Sequence, residues 1–305
     1  MYKRQILKSP FVKWDGLRHY AIGSAWFSSA LILIILGTLI FQSGPALLTS
    51  DLNLFSVNWD PHNNQFGIIP MIFGTLIVMC IAMCLALPLG VLSAIYIAET
   101  RSDRLRRLLK SALEVLAGIP SIVYGLIGVA YLSLWVAKGF ELQTGRVILT
   151  AGLLLALMIL PTIMTLSEDA ISGVSREFRE NGASLGLYKY EIIKDVVLPI
   201  AKADIAGAAL LGLGRALGET MAVMLVIGSL DRLPVPLFNV LSSSQTVTSK
   251  LGREVAESAF GSTHFSVLVF MSLILVSFTL ILTIAAQKLF NKEPCLLYTS
   301  PSPRD

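Results

Sequence analysis

Six apolar stretches, each about as long as a bilayer is thick, dominate this chain and restrict the solvents in which it can fold. A hydrocarbon core of ~30 Å takes about 20 helical residues to cross. The stretches fall at about Ala21–Phe41, Gly67–Ala98, Ala112–Ala137, Arg146–Leu166, Ile200–Ser229 and Phe265–Gln287. The second is long for one crossing, which predicts a tilt or an extension past the membrane. Of the 305 residues, 54% are hydrophobic and 14% charged, against roughly 25% charged in ordinary soluble domains. In hydrocarbon every backbone amide must find its partner inside the protein. The expected fold class is therefore all-α integral membrane, with six transmembrane helices.

Orientation follows from Lys and Arg, which accumulate in loops on the cytoplasmic side. Lys3, Arg4, Lys8, Lys13 and Arg18 precede the first stretch, and Gly44–Phe66 holds no Lys or Arg. Arg101, Arg104, Arg106, Arg107 and Lys110 follow the second stretch. Arg176, Arg179, Lys189, Lys194 and Lys202 lie between the fourth and fifth. The short connection between the third and fourth has Lys138 and Arg146 at its edges, and the loop from Leu230 to His264 holds Arg232, Lys250 and Arg253. Basic and non-basic loops alternate in step with six crossings, so both termini are expected in the cytoplasm, with residues 1–20 as an N-terminal segment and 21–290 as the six-helix membrane domain. Residues 1–5 and 295–305 (Cys295 to Asp305, CLLYTSPSPRD) differ in character from the helices beside them and resemble translated adaptor sequence.

Cys80 and Cys84 are four apart in an apolar run and read as small packing residues. His19, His62 and His264 lie near span ends without metal-ligand spacing, so no metal and no cofactor is expected. Pro88, Pro120 and Pro161 fall inside the second, third and fourth spans. Each removes a backbone donor and is expected to kink its helix.

The connection from Ser167 to Pro199 is long for a bundle and patterned like structure. Ser167 is expected to cap a helix whose first turn holds Glu168 and Asp169, matching the helix dipole. Ala170, Val174, Phe178 and Leu185 mark one face, and Gly186 stands where a C′ glycine ends a helix. A second short helix, Lys189–Val197, leads through Pro199 into the fifth span. An amphipathic hairpin of this kind suits the membrane surface and a protein groove equally well.

The fifth span carries GLGRALGETMAV, Gly212 to Val223. Arg215 and Glu219 lie deep in an apolar run, where a charge costs about 2.5–3.5 kcal/mol on insertion scales. They are four apart and share a helix face. Gly214 and Gly218 form a close-packing row on the face beside it. Charges next to such a seam point to a bundle interior or a subunit interface, either as a substrate route or as an ion pair that only holds the interface together. No Gly-x-x-x-x-Gly-Lys-Ser/Thr occurs, so ATP hydrolysis is not expected of this chain.

Glu180-Asn181-Gly182, then Gly186, then Leu198-Pro199 resembles the EAA loop of ABC importer permeases, with Asn181 and Gly182 in place of the usual alanines. GRALGETMAV, GIPSIVYGLIGV (Gly118–Val129), FGIIPMIFGT (Phe66–Thr75) and LPLGVLSAIYIAE (Leu87–Glu99) resemble the PstC family, the permease subunits of phosphate ABC importers. The resemblance implies a type I ABC importer permease bundle working by alternating access. It implies a sister permease subunit (PstA-like), an ATPase subunit dimer (PstB-like) and a periplasmic phosphate-binding protein (PstS-like). It makes 167–199 the ATPase coupling loop, with Glu180, Ala183 and Gly186 at the contact. From their burial in the span, Arg215 and Glu219 are expected to line the substrate pathway at the interface with the sister subunit. The rival readings are a permease for sulfate or molybdate, a secondary transporter driven by an ion gradient, and a regulatory membrane subunit.

Overall fold

The computed structural model describes residues 14–48, 53–100 and 103–290. Residues 1–5 and 295–305, expected to be foreign, lie outside the described residues. Six helical segments are long and apolar enough to cross a membrane: His19–Leu48, Ile69–Glu99, Ser121–Gly139, Ile148–Ser172, Lys189–Gly218 and Thr263–Ala286.

Helix α1 (Trp14–Leu48) packs along the last span and leaves most of its other faces open. A two-residue antiparallel pair, β1 (Trp59–Asp60) and β2 (Gln65–Phe66), forms a hairpin before α2 (Ile69–Glu99). Pro88 and Pro161 lie inside helices as expected.

Pro120 does not. The expected third span, Ala112–Ala137, is two elements. Helix α3 (Asp103–Gly118) is amphipathic and lies outside the crossing, and the span begins at Ser121. The physical reason is Pro120, whose ring disfavours helical geometry at Ile119 and which itself adopts φ −58°, ψ 138°. The span then runs as α4 (Ser121–Ile127), a π-helical turn at Gly128–Leu132 and α5 (Ser133–Gly139).

Helix α6 (Ile148–Ser172) is the central post, with α2 on one side and the fifth span on another. Small residues let these helices meet: Ala82, Ala86, Ala151 and Ala156 are buried together with Leu154, Leu155, Met158 and Ile159. Helix α7 (Arg176–Ser184) follows. Helix α8 (Lys189–Glu191) continues through a wide π turn at Ile192–Val197 into α9 (Leu198–Gly218). Pro199 offers no amide to the carbonyl one turn earlier, and the widened turn sits where that bond is missing.

The expected fifth span, Ile200–Ser229, is also broken. Helix α9 ends at Gly218, and α10 (Met221–Val226) starts after Glu219-Thr220. The chain returns as α11 (Val247–Glu254) before α12 (Thr263–Phe290). The six crossings alternate, so the hairpin, α11 and the start of α12 meet at one end of the bundle, and α3 and α7 meet at the other.

Candidate functional site

The break in the fifth span rearranges the predicted charge pair. Gly218 is the last helical residue, and Glu219 turns extended at φ −73°, ψ 122°. Arg215 and Glu219 therefore do not stand one turn apart on a continuous helix. The Glu219 carboxylate faces forward and accepts from the Ala222 amide at 3.3 Å, serving the first turn of α10. Its backbone carbonyl accepts from Thr248 Oγ1 at 2.8 Å. Arg215 Nη1 donates to Thr162 Oγ1 at 3.2 Å. Among the described residues no carboxylate lies within ion-pair distance of Arg215. An ion pair between the two, one of the alternatives above, does not form, because the helix that would align them has ended.

A half-exposed cation with one neutral hydroxyl partner is poorly compensated in a membrane span. Its cost there is on the order of 2.5–3.5 kcal/mol. Gly214 and Gly218 lie on the exposed side of α9, with no atom within 4 Å of where a Cβ would stand. On the other side, a Cβ on Gly212 would come 2.6 Å from Ile163, so the helix presses on α6 there. The glycine row thus faces away from this chain's own bundle.

The break is held by a segment that sequence reasoning read only as a loop. Ser244, Gln245, Thr246, Thr248, Ser249 and Lys250 are all buried. The segment passes so close to α2 that a Cβ on Gly74 would collide with the Gln245 carbonyl. Thr75 Oγ1 accepts from the Val247 amide at 3.0 Å. Thr246 and Ser249 cap the start of α11 reciprocally, at 3.2 and 3.1 Å. Lys250 lies 2.6 Å from Asp231 and 2.5 Å from Glu254, with its ammonium 4.5 Å from the centre of the Trp59 ring. The caged lysine ties α11 to the β1–β2 hairpin. The capping pattern Thr-x-x-Ser was the available sequence signal.

At the opposite end, α6 runs on through Ser167 and Glu168, both buried, instead of ending before them. The expected cap at Ser167 does not exist. The helix is continued by Arg106 and Lys110 of α3, which pair with Glu168, and Lys110 also meets Asp169 at 2.9 Å. The cap falls at Ser175, whose Oγ accepts from the Glu177 amide at 3.3 Å. Helix α7 ends as predicted at Gly186. Its φ is +84°, a region that glycine enters without a Cβ clash. Gly186 N donates to Ala183 O at 3.0 Å and Leu187 N to Gly182 O at 3.2 Å, a Schellman ending. Gly182 is buried, and a Cβ there would meet Ile192 at 3.3 Å. Glu180, Asn181 and Ala183 are exposed. Leu185, expected on the packed face, is instead 83% exposed, because the turn at Gly186 swings it off the helix.

This exposed helix is anchored to α2. Arg179 pairs with Glu99 and donates to the Ile171 carbonyl at 2.8 Å. Lys189 donates to the Glu99 carbonyl at 3.1 Å. The structure thus brings Glu180, Ala183 and Gly186 to one exposed turn. It keeps Arg215 and Glu219 on one span without bringing their side chains together.

Residues 86–293 match the binding-protein-dependent transport system inner membrane component family. Relatives include the phosphate transport system permease protein PstC of Mesorhizobium japonicum, 34% identical over 90% of this chain and 92% of that protein. PstC of Haemophilus influenzae is 34% identical over 78% of this chain and 80% of that protein. The probable ABC transporter permease protein YqgH of Bacillus subtilis is 34% identical, with 84% of each chain covered. Among solved structures, the inward-facing MetNI methionine ABC transporter matches with a TM-score of 0.57 at 14% identity, over 73% of this chain and 94% of that one. A bacterial alginate ABC transporter matches with a TM-score of 0.55 at 14% identity, over 91% and 97%.

The chain belongs to the binding-protein-dependent transport system inner membrane component family: it is a multi-pass inner-membrane permease subunit with the type I ABC importer fold. Within that family it stands with the PstC permeases.

Proposed function

We propose that this chain carries inorganic phosphate across the inner membrane as one half of a permease pair, with Arg215 on the anion's route. The observation that carries the reading is Arg215 itself, a guanidinium within a span whose described partner is the neutral Thr162 hydroxyl. A guanidinium offers an oxyanion a fixed fork of donors, and among the described residues no carboxylate competes for it. Glu219, whose carboxylate is spent on one backbone amide at 3.3 Å, retains acceptor capacity for a P–OH group, which phosphate has at neutral pH and sulfate lacks. Near-full-length likeness to proteins named phosphate permeases supports phosphate over sulfate or molybdate.

The partners follow from the same reading. A PstA-like sister subunit covers the open face of α9 at Gly214 and Gly218. A PstB-like ATPase dimer hydrolyses ATP and receives the turn at Glu180, Ala183 and Gly186. A PstS-like phosphate-binding protein delivers the anion from the periplasm. The α7 end then faces the cytoplasm together with both termini, and the hairpin end faces the periplasm. The exposed α7 surface fits an ATP-coupled importer better than a gradient-driven carrier.

The test is uptake of phosphate by proteoliposomes holding the four components. Arg215→Gln is expected to lower uptake at least about a hundredfold, the scale of losing a charged contact worth ~3 kcal/mol, while the complex still copurifies. Retained uptake in an assembled Arg215→Gln complex overturns the assignment. Loss of assembly assigns Arg215 to the interface instead.

A further inference from the structure

Helix α11 sets a second arginine beside the break in the fifth span. Its first turn is tied to the break by Thr248, whose hydroxyl reaches the Glu219 carbonyl at 2.8 Å. Its second turn packs on the next residue: a Cβ on Gly252 would stand 2.7 Å from Thr220 Cγ2. Arg253 follows Gly252 directly and is exposed. The helix cannot rotate it away, because Lys250 is locked between Asp231 and Glu254 over Trp59.

Two acids near Arg253 are taken. Glu254 holds Lys250 at 2.5 Å and His264 at 2.9 Å, and Asp231 holds Lys250 at 2.6 Å. Glu257, one turn on, makes no ion pair with Arg253, and no other described carboxylate does. An arginine on the outer side also runs against the usual distribution of basic residues.

We propose that Arg253 is the outer receiving residue for the transported oxyanion, taking it at the mouth and passing it across the Glu219-Thr220 break toward Arg215. The inference rests on the phosphate-permease reading. Helix α9 begins at the α7 end, so Arg215 lies before the break and Arg253 beyond it. Two cations at different depths, neither neutralised by a fixed carboxylate, give an anion one weak site to enter and another to leave toward, as conduction requires. The break between them carries the Glu219 carboxylate, which accepts from the Ala222 amide at 3.3 Å.

The experiment compares Arg253→Gln and Arg253→Lys with wild type in the reconstituted four-component importer, reading phosphate uptake and ATP hydrolysis at saturating loaded binding protein. Arg253→Gln is expected to lower uptake per ATP about tenfold, the lower end of electrostatic steering effects, with stimulated hydrolysis retained. Arg253→Lys should fall between the two. Unchanged uptake per ATP overturns the proposal. So does a raised half-saturating concentration of binding protein at unchanged maximal uptake, which marks a docking residue. A lysine variant no better than glutamine overturns it as well. The exposed side chain has no described partner to orphan, so an Arg253→Gln complex that fails to assemble also counts against the inference. Failure of the underlying reading looks different: the wild-type importer would then take up no phosphate at all.

Discussion

Arg179 in the exposed helix α7 pairs with Glu99, the last residue of α2, so the loop that leaves the fourth span is fastened to the end of the second. The pair is mostly shielded, and Arg179 also holds the Ile171 carbonyl at the end of α6. Two spans therefore meet at one guanidinium, α2 through Glu99 and α6 through Ile171. On the proposed coupling role of α7, this contact is the path by which a push would reach α2 and α6.

Glu99→Gln should consequently uncouple hydrolysis from transport. Losing a charged hydrogen-bond partner here costs about 1–3 kcal/mol, enough to loosen the loop without unfolding the bundle. ATP hydrolysis per phosphate transported is expected to rise severalfold. The swap Glu99→Arg with Arg179→Glu should recover part of the coupling. Normal stoichiometry in Glu99→Gln would show that the clamp carries no force.

Gly186→Val tests the turn that presents Glu180 and Ala183. A β-branched residue at φ +84° is strained, by about 1–2 kcal/mol from Cβ crowding alone. The expected outcome is reduced copurification of the ATPase and reduced uptake, with membrane insertion unchanged. Wild-type assembly and uptake would remove Gly186 from the coupling surface.

Glu219→Gln separates the acceptor role from a neutralising one. Arg215 has no contact with this carboxylate to lose, so uptake should persist. Discrimination against sulfate should relax, read as stronger sulfate competition in proteoliposomes. An unchanged sulfate-to-phosphate ratio would leave Glu219 with only its bond to the Ala222 amide.

Gly74→Ala tests the buried segment from Ser244 to Lys250. The new methyl would collide with the Gln245 backbone carbonyl, and overpacking of this kind costs roughly 1–3 kcal/mol. A lowered unfolding temperature and reduced uptake are expected. Gly37→Ala, on an exposed face of α1 with no atom within 4 Å of the new methyl, should change neither. Equal behaviour of the two variants would mean that the segment is not held against α2.

Single cysteines at His62 and Ser111, in a background with Cys80, Cys84 and Cys295 replaced, report the orientation. His62 lies in the hairpin and Ser111 on α3, at opposite ends of the bundle. An impermeant thiol reagent added to intact cells should label the first and not the second. The reverse pattern would invert the topology.

The apolar runs alone determined that this chain is a six-helix membrane bundle, because hydrocarbon leaves the backbone no alternative to helices. The glycine at 186 was legible for the same local reason, since a left-handed residue at a helix end needs no knowledge of the rest of the fold. What periodicity could not supply was where a continuous apolar run stops being one helix. Ala112–Ala137 reads as a span, yet Pro120 divides it. Ile200–Ser229 reads as a span, yet it breaks at Glu219, where Thr248 from thirty residues further on takes the freed carbonyl. Ser167 looked like a cap, yet Arg106 and Lys110, about sixty residues earlier, neutralise Glu168 and let the helix run through. In the last two cases the deciding partner is distant in sequence, and a backbone group or charge left unsatisfied in a low-dielectric interior costs more than local propensity returns. Tertiary contacts therefore decided the fate of the charges, leaving Arg215 with Thr162 and no carboxylate partner among the described residues, and burying Lys250 in a cage.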